Sequence, residues 1–231
     1  MVAVIAGCLT VTAYFIAPLL IQQEATTTPE ATPPPDVAGI KTRAEKGEAA
    51  AQAELAALFT QGDGVKRDYK EAAKWYQLAA DQGFAKAQAA LGELYEAGQG
   101  VPRDDAEAAK WYRKAADQGH ATGQYALAVL YLVGRGVPKD DTEALKLYRQ
   151  SADQGYALAL FHLGMRYKKG QGVPVDPVEA YKWLTLAAAG GIAEANEIRD
   201  EVKSSMTREQ IAEGKKRAEA FSSTQAGPRG K

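Results

Sequence analysis

The segment VPRDDAEAAKWYRKAADQG, residues 101–119, recurs in close copies along this chain at one fixed spacing of 36 residues. Trp75, Trp111, Leu147 and Trp183 share one column of the repeat, and Gly47, Gly83, Gly119, Gly155 and Gly191 share another. A unit of this length is a single supersecondary element that cannot bury its own apolar face, so its copies must stack into a solenoid. The period therefore overrides any domain count taken from the 231-residue length and predicts one elongated all-α body.

Two helices are legible in each unit. In the first, Ala87, Leu91, Leu94 and Tyr95 fall at i, i+4, i+7 and i+8, one face of a 3.6-residue helix, and the same columns recur at Ala51, Leu55, Leu58 and Phe59 and at Gly123, Leu127, Leu130 and Tyr131. In the fourth unit Arg166 takes the place of the second leucine, from which we expect that part of the array to open toward solvent or a cap. A G-x-G-V-P turn follows, as at Gly98, Gly100 and Pro102. It is read as a helix stop with left-handed glycines rather than a phosphate loop, since no strand precedes it. The second helix opens on Asp68, Asp104, Asp140 or Asp176 as N-cap, with Glu71, Glu107, Glu143 or Glu179 three residues on, able to reach back as in a capping box. Ala108, Trp111, Tyr112 and Ala115 then alternate bulky and small side chains, which lets neighbouring helices approach closely.

The ends differ from the repeats. Residues 2–21 contain no charge, and at about 1.5 Å per residue a helix of that length spans the hydrocarbon core of a bilayer. The expectation is a transmembrane anchor, with a cleaved signal or a lipidated Cys8 as alternatives. Residues 22–36 are rich in Pro and Thr and lack Lys and Arg, which predicts an extended linker with the C-terminal side facing outward. Residues 37–47 align as a closing repeat helix. Residues 192–221 leave the pattern; Thr207 and Gln210 announce a final polar helix in a capping segment, and residues 222–231 are expected to be a disordered tail.

Residues 48–191 resemble four consecutive Sel-one-like repeats, at 48–83, 84–119, 120–155 and 156–191, on the motif A-x-x-x-L-G-x-L-Y-x-x-G-x-G-V-P-x-D-x-x-E-A-x-x-W-Y-x-x-A-A-D-Q-G. The resemblance implies a right-handed superhelix of helix hairpins related to tetratricopeptide arrays. It further implies an adaptor in multiprotein assemblies, in bacteria often at the cell envelope. Some members are associated with binding or hydrolysing β-lactams, which makes an enzyme the rival class, and peptidoglycan or polysaccharide contact is a third.

Chemistry is sparse in the residues themselves. The 28 basic and 29 acidic residues nearly cancel, and no stretch is basic enough to follow nucleic acid. No S-x-x-K, K-T-G or H-E-x-x-H occurs, and His120 and His162 lie in different repeat columns. No catalytic residue, cofactor or metal is expected. A protein or peptide partner is, because the columns outside the core stripe are small or charged in the first two units and turn apolar later. Tyr125, Val129, Leu132, Leu158, Phe161, His162 and Met165 are the candidate partner-binding residues, with packing between hairpins as the competing explanation. For the repeat core, Trp111→Ala should leave a cavity costing about 3 to 5 kcal/mol, read as a lower urea midpoint; an unchanged midpoint would remove Trp111 from the core.

Overall fold

The structure is a computed structural model, and it describes residues 36–225. The anchor and linker expected at 2–36 lie outside these residues apart from Asp36. Among the described residues no helix is long and apolar enough to cross a membrane.

Eleven α-helices follow one another within this span: α1 (Val37–Glu45), α2 (Ala49–Gln61), α3 (Tyr69–Asp81), α4 (Ala85–Ala97), α5 (Asp105–Asp117), α6 (Ala121–Val133), α7 (Asp141–Asp153), α8 (Ala157–Lys169), α9 (Pro177–Ala189), α10 (Glu194–Ser204) and α11 (Arg208–Gln225). Helices α2 to α9 form four hairpins, each helix packing on the next. The stripe Ala87, Leu91 and Leu94 is buried, as are Ala108, Trp111, Tyr112 and Ala115, so the interior is a continuous seam between successive helices.

Each hairpin is fastened at its turn. Asp104 Oδ1 accepts from the backbone N–H groups of Ala106 and Glu107, both at 2.9 Å, and Asp68, Asp140 and Asp176 repeat the arrangement. The glutamate does not reach back to complete a capping box. The aspartate's own N–H is already taken by a carbonyl of the preceding helix, Asp104 N to Tyr95 O at 3.0 Å and Asp68 N to Phe59 O at 2.9 Å. Released from that duty, Glu107 pairs with Lys110 at 2.7 Å and Glu143 with Lys146 at 3.3 Å.

A second fastening joins consecutive units. Gln88, buried in α4, donates to Ala80 O at the end of α3 at 3.1 Å and accepts from Gln118 at the end of α5 at 2.7 Å. Gln52 with Gln82 and Gln124 with Gln154 do the same, so a ladder of side-chain amides threads the first three units with its polar atoms satisfied. Leu160 and Gly190 occupy these columns in the fourth unit, and the ladder stops there.

The array is closed at its C-terminal end by α11. Thr207 and Gln210 exchange backbone and side-chain hydrogen bonds at 2.9 and 3.2 Å, a reciprocal capping box. Ala218 is buried, Phe221 stands edge-on to Trp183 at 5.5 Å, and Arg217 reaches Glu179 of α9 at 2.8 Å. This docking carries the helix through Gln225, so Ser222 to Gln225, expected in the disordered tail, are helical, with the Ser223 and Thr224 hydroxyls bonded back to carbonyls one turn earlier.

The turn glycines differ in what surrounds them. Gly136 has φ +68°, and a Cβ there would lie 2.0 Å from Asp105 O, whereas Gly155 has φ +78° and nothing within 4 Å. Gly155→Ala should therefore cost only the left-handed strain of about 1 kcal/mol, and Gly136→Ala at least about twice as much because backbone must move. Paired chemical denaturation curves measure the difference; equal midpoints for the two variants would refute it.

Candidate protein-interaction groove

The candidate partner-binding residues come from two first helices: Tyr125, Val129 and Leu132 from α6, and Leu158, Phe161, His162 and Met165 from α8. First helices lie on the inner curve of the array. Helix α4 meets α6 directly as well as through α5, while no two second helices meet to that extent. Tyr125 of α6 also meets Tyr156, at the start of α8, at 5.2 Å, and burial, with a smaller contribution from the carboxyl of Glu93 in α4, raises the Tyr156 hydroxyl pKa. The first helices of units two to four thus line one groove.

Tyr125, Phe161 and His162 are brought together there. Tyr125 lies 5.7 Å from His162 and 5.2 Å from Tyr156, Phe161 meets His162 edge-on at 5.6 Å, and His162 stacks on Tyr148 of α7 at 5.6 Å with 14° between planes. Val129, Leu132 and Phe161 rest on the buried core with one side partly open, Met165 is half-buried, and Leu158 is exposed. Several charges on the first helices are paired: Glu54 with Arg43 at 3.1 Å, Glu96 with Arg135 at 3.1 Å, and Lys168 with Glu201 of α10 at 2.5 Å.

Burial pushes the Tyr125 hydroxyl up to about 12 and that of Tyr148 upward too, so both remain protonated donors. His162 is held below the ordinary imidazole value by burial and by the charge of Arg166; His120 is lowered by burial and Lys86, and its Nδ1 accepts from Gly123 N–H as a helix cap. Burial and the neighbouring Glu96 raise the Glu93 carboxyl, although the residue as a whole is exposed. Among the described residues no group of His, Cys, Asp and Glu could hold a metal ion.

Arg166 corrects the expectation of an open fourth unit. Its side chain is 4% exposed, turned back so that Nη1 donates to Gln171 O at 2.8 Å, with Cζ over the Tyr148 ring at 5.6 Å. The long stem fills the leucine column while the guanidinium takes the space beside the turn, where Gly172 would meet Arg166 Nη1 rather than a carbonyl of α7. Sequence reasoning noted Arg166 as a break in the leucine column without placing it in the site, and passed over Tyr148. A comparison sixteen residues apart shows what sets them off: Tyr76 faces Thr60 and Tyr112 donates to Glu96 at 2.9 Å, but the position facing Tyr148 is Leu132.

The stacked hairpins and their inner groove define an α-solenoid of repeats. Four consecutive copies of the Sel1 repeat match residues 49–84, 85–120, 121–156 and 157–192, and the chain belongs to the Sel1 repeat family, whose members are generally protein-interaction scaffolds. No curated protein sequence matches it. Among solved structures it is similar to c5321, a protective antigen of uropathogenic Escherichia coli, at 39% identity and TM-score 0.65 over 69% of this chain; it spans only 34% of that protein. It is also similar to a Sel1 repeat protein from Oxalobacter formigenes, at 34% identity and TM-score 0.64, covering 79% of this chain and 76% of that one. The fold is shared with the immunity protein Pa5087 of Pseudomonas aeruginosa, at 23% identity, TM-score 0.51 and coverage of 82% and 72%.

Two stability measurements follow from the buried polar groups. Arg166→Leu, which restores the column of Leu58, Leu94 and Leu130, should stabilise the free protein by about 1 to 4 kcal/mol because a buried charge without a carboxylate is removed; a lower urea midpoint would contradict this. The folded state disfavours protonation of both histidines, so the stability they represent is complete above about pH 6.5 and is lost as pH falls toward their depressed folded values. His162→Leu should accordingly flatten the fall in Tm below about pH 6.5; an unchanged slope would show that His162 does not contribute.

Proposed function

We propose that this protein is an adaptor that holds a segment of a partner protein in the inner groove of its second to fourth units, at the bacterial cell envelope. One observation carries this reading. The residues that depart from the repeat gather on one face of α6 and α8, where aromatic and aliphatic side chains stay partly open. Elsewhere repetition is explained by structure, since caps, turns and wedges recur because every hairpin needs them. Apolar side chains concentrated on one groove are what a partner segment buries on docking. The charge-free run at residues 2–21 and the Lys- and Arg-poor stretch after it support a membrane-tethered position with the solenoid outside the cytoplasm.

The test is site-specific photocrosslinking in the native cell. A photoreactive residue at Leu158 or Met165 should capture one and the same protein, identified by mass spectrometry, while one at Arg149 on the exposed side of α7 should not. Val129→Glu should abolish that capture and leave the helical circular dichroism intact; loss of helicity instead would assign Val129 to the core, and equal capture from Arg149 would remove the groove from the function. A C-terminal alkaline phosphatase fusion reports location separately and should be active if the C-terminal side lies outside the cytoplasm.

A further inference from the structure

The second and third units together make a carboxylate clamp from the chain itself. The Tyr112 hydroxyl donates to Glu96 Oε2 at 2.9 Å, and Arg135 Nη1 donates to Glu96 Oε1 at 3.1 Å, so a tyrosine and an arginine hold the two oxygens of one carboxylate. One repeat later the tyrosine recurs without its acceptor, while the place of Arg135 is held by Gln171 and the guanidinium comes from another column, from Arg166 of α8, which donates to Gln171 O at 2.8 Å. Tyr148 is fully buried with its hydroxyl unpartnered, Arg166 is 4% exposed with Nη2 unpartnered, and among the described residues no carboxylate pairs with Arg166. The position of Glu96 is taken by Leu132.

We propose that Tyr148 and Arg166 form the acid-binding subsite of the groove, taking the side-chain carboxylate of an Asp or Glu in the partner protein where Glu96 sits one unit earlier. This rests on the adaptor reading and gives its partner a chemistry. A buried guanidinium without a counter-charge and a buried hydroxyl without an acceptor are both costly, and a single carboxylate relieves both. Leu132, half-buried on the groove side, covers the subsite in the free protein, and the incoming acid displaces it. The aromatic group of Tyr125, Phe161 and His162 lies beside the subsite, with His162 stacked on Tyr148, to receive apolar neighbours of the acid.

The experiment selects random dodecapeptides on the full chain and measures the retained peptides by fluorescence polarisation. They should share one Asp or Glu beside apolar residues. Changing that acid to its amide, or Arg166→Leu in the protein, should each weaken binding by roughly tenfold or more, and the two together no further than either alone. Leu132→Glu, which recreates the Glu96 arrangement in place, should raise the Tm above that of Leu132→Gln and block acidic peptides. Retained peptides without a shared acid, an unchanged Kd in Arg166→Leu, or additive losses would overturn the subsite and leave the adaptor reading standing. If no peptide is retained, or if retained peptides ignore Val129→Glu and Met165→Glu, the adaptor reading fails and the subsite with it.

Discussion

Two thirteen-residue helices enclose too little volume to satisfy their own apolar faces, and every other property of this molecule descends from that shortfall. Each first helix must be covered by its own second helix and by that of the unit before it. That double coverage leaves small residues wherever two helices cross closely: a Cβ on Gly92 would lie 2.7 Å from the Tyr112 ring, and one on Gly123 would lie 2.6 Å from Ala115. The tyrosine and tryptophan wedges fill what the small residues leave open, so volume is conserved along the seam even as single side chains change. At the end of the seam α11 substitutes for a further hairpin, closing with Ala218 and Phe221 on one side and charge on the other.

A repeat protein separates the residues that build it from those that distinguish it. Aspartate caps, turn glycines and wedges are shared by all four hairpins and describe the scaffold. The individual character of this chain lies where the columns are broken, and the breaks are not scattered. Arg166 for a leucine, His162 for an alanine, and Leu160 and Gly190 for the glutamine pair all fall in the fourth unit, beside Leu132 of the third in a column that also holds Thr60, Glu96 and Lys168. Five residues that would each be unremarkable on a surface become a site because the 36-residue period brings them to one junction.

Much of the scaffold was legible from the chain alone. The helices, turns, caps and C-terminal box follow from spacing and residue type because they are local: a hydrogen bond three residues away is visible in a string of letters. What escaped was relational. The Asp104 N–H is claimed by Tyr95 O across a turn, which no local motif announces, and so Glu107 was left free to pair with Lys110. Gln88 and Gln118 recur with perfect period, yet their meaning depends on a contact thirty residues apart. Arg166 reads as a surface residue by type, and only its surroundings show a charge folded inside. In the groove, the aromatic group was visible as an excess of apolar residues, while the donors beneath it were not.

The amide ladder has a mechanical side. Through the first three units every hairpin is tied to its neighbours by side-chain amides as well as by packing, so bending between them must break polar contacts inside an apolar seam. At Leu160 and Gly190 those buried ties end, and the last joint is held by packing and by an exposed hydrogen bond from Arg149 to Tyr167 at 3.0 Å, which yields to small shifts at lower cost. The more compliant joint of the repeats is therefore the junction where α7 and α8 carry Tyr148 and Arg166. A partner that prises the groove open does its work against the softest part of the spring.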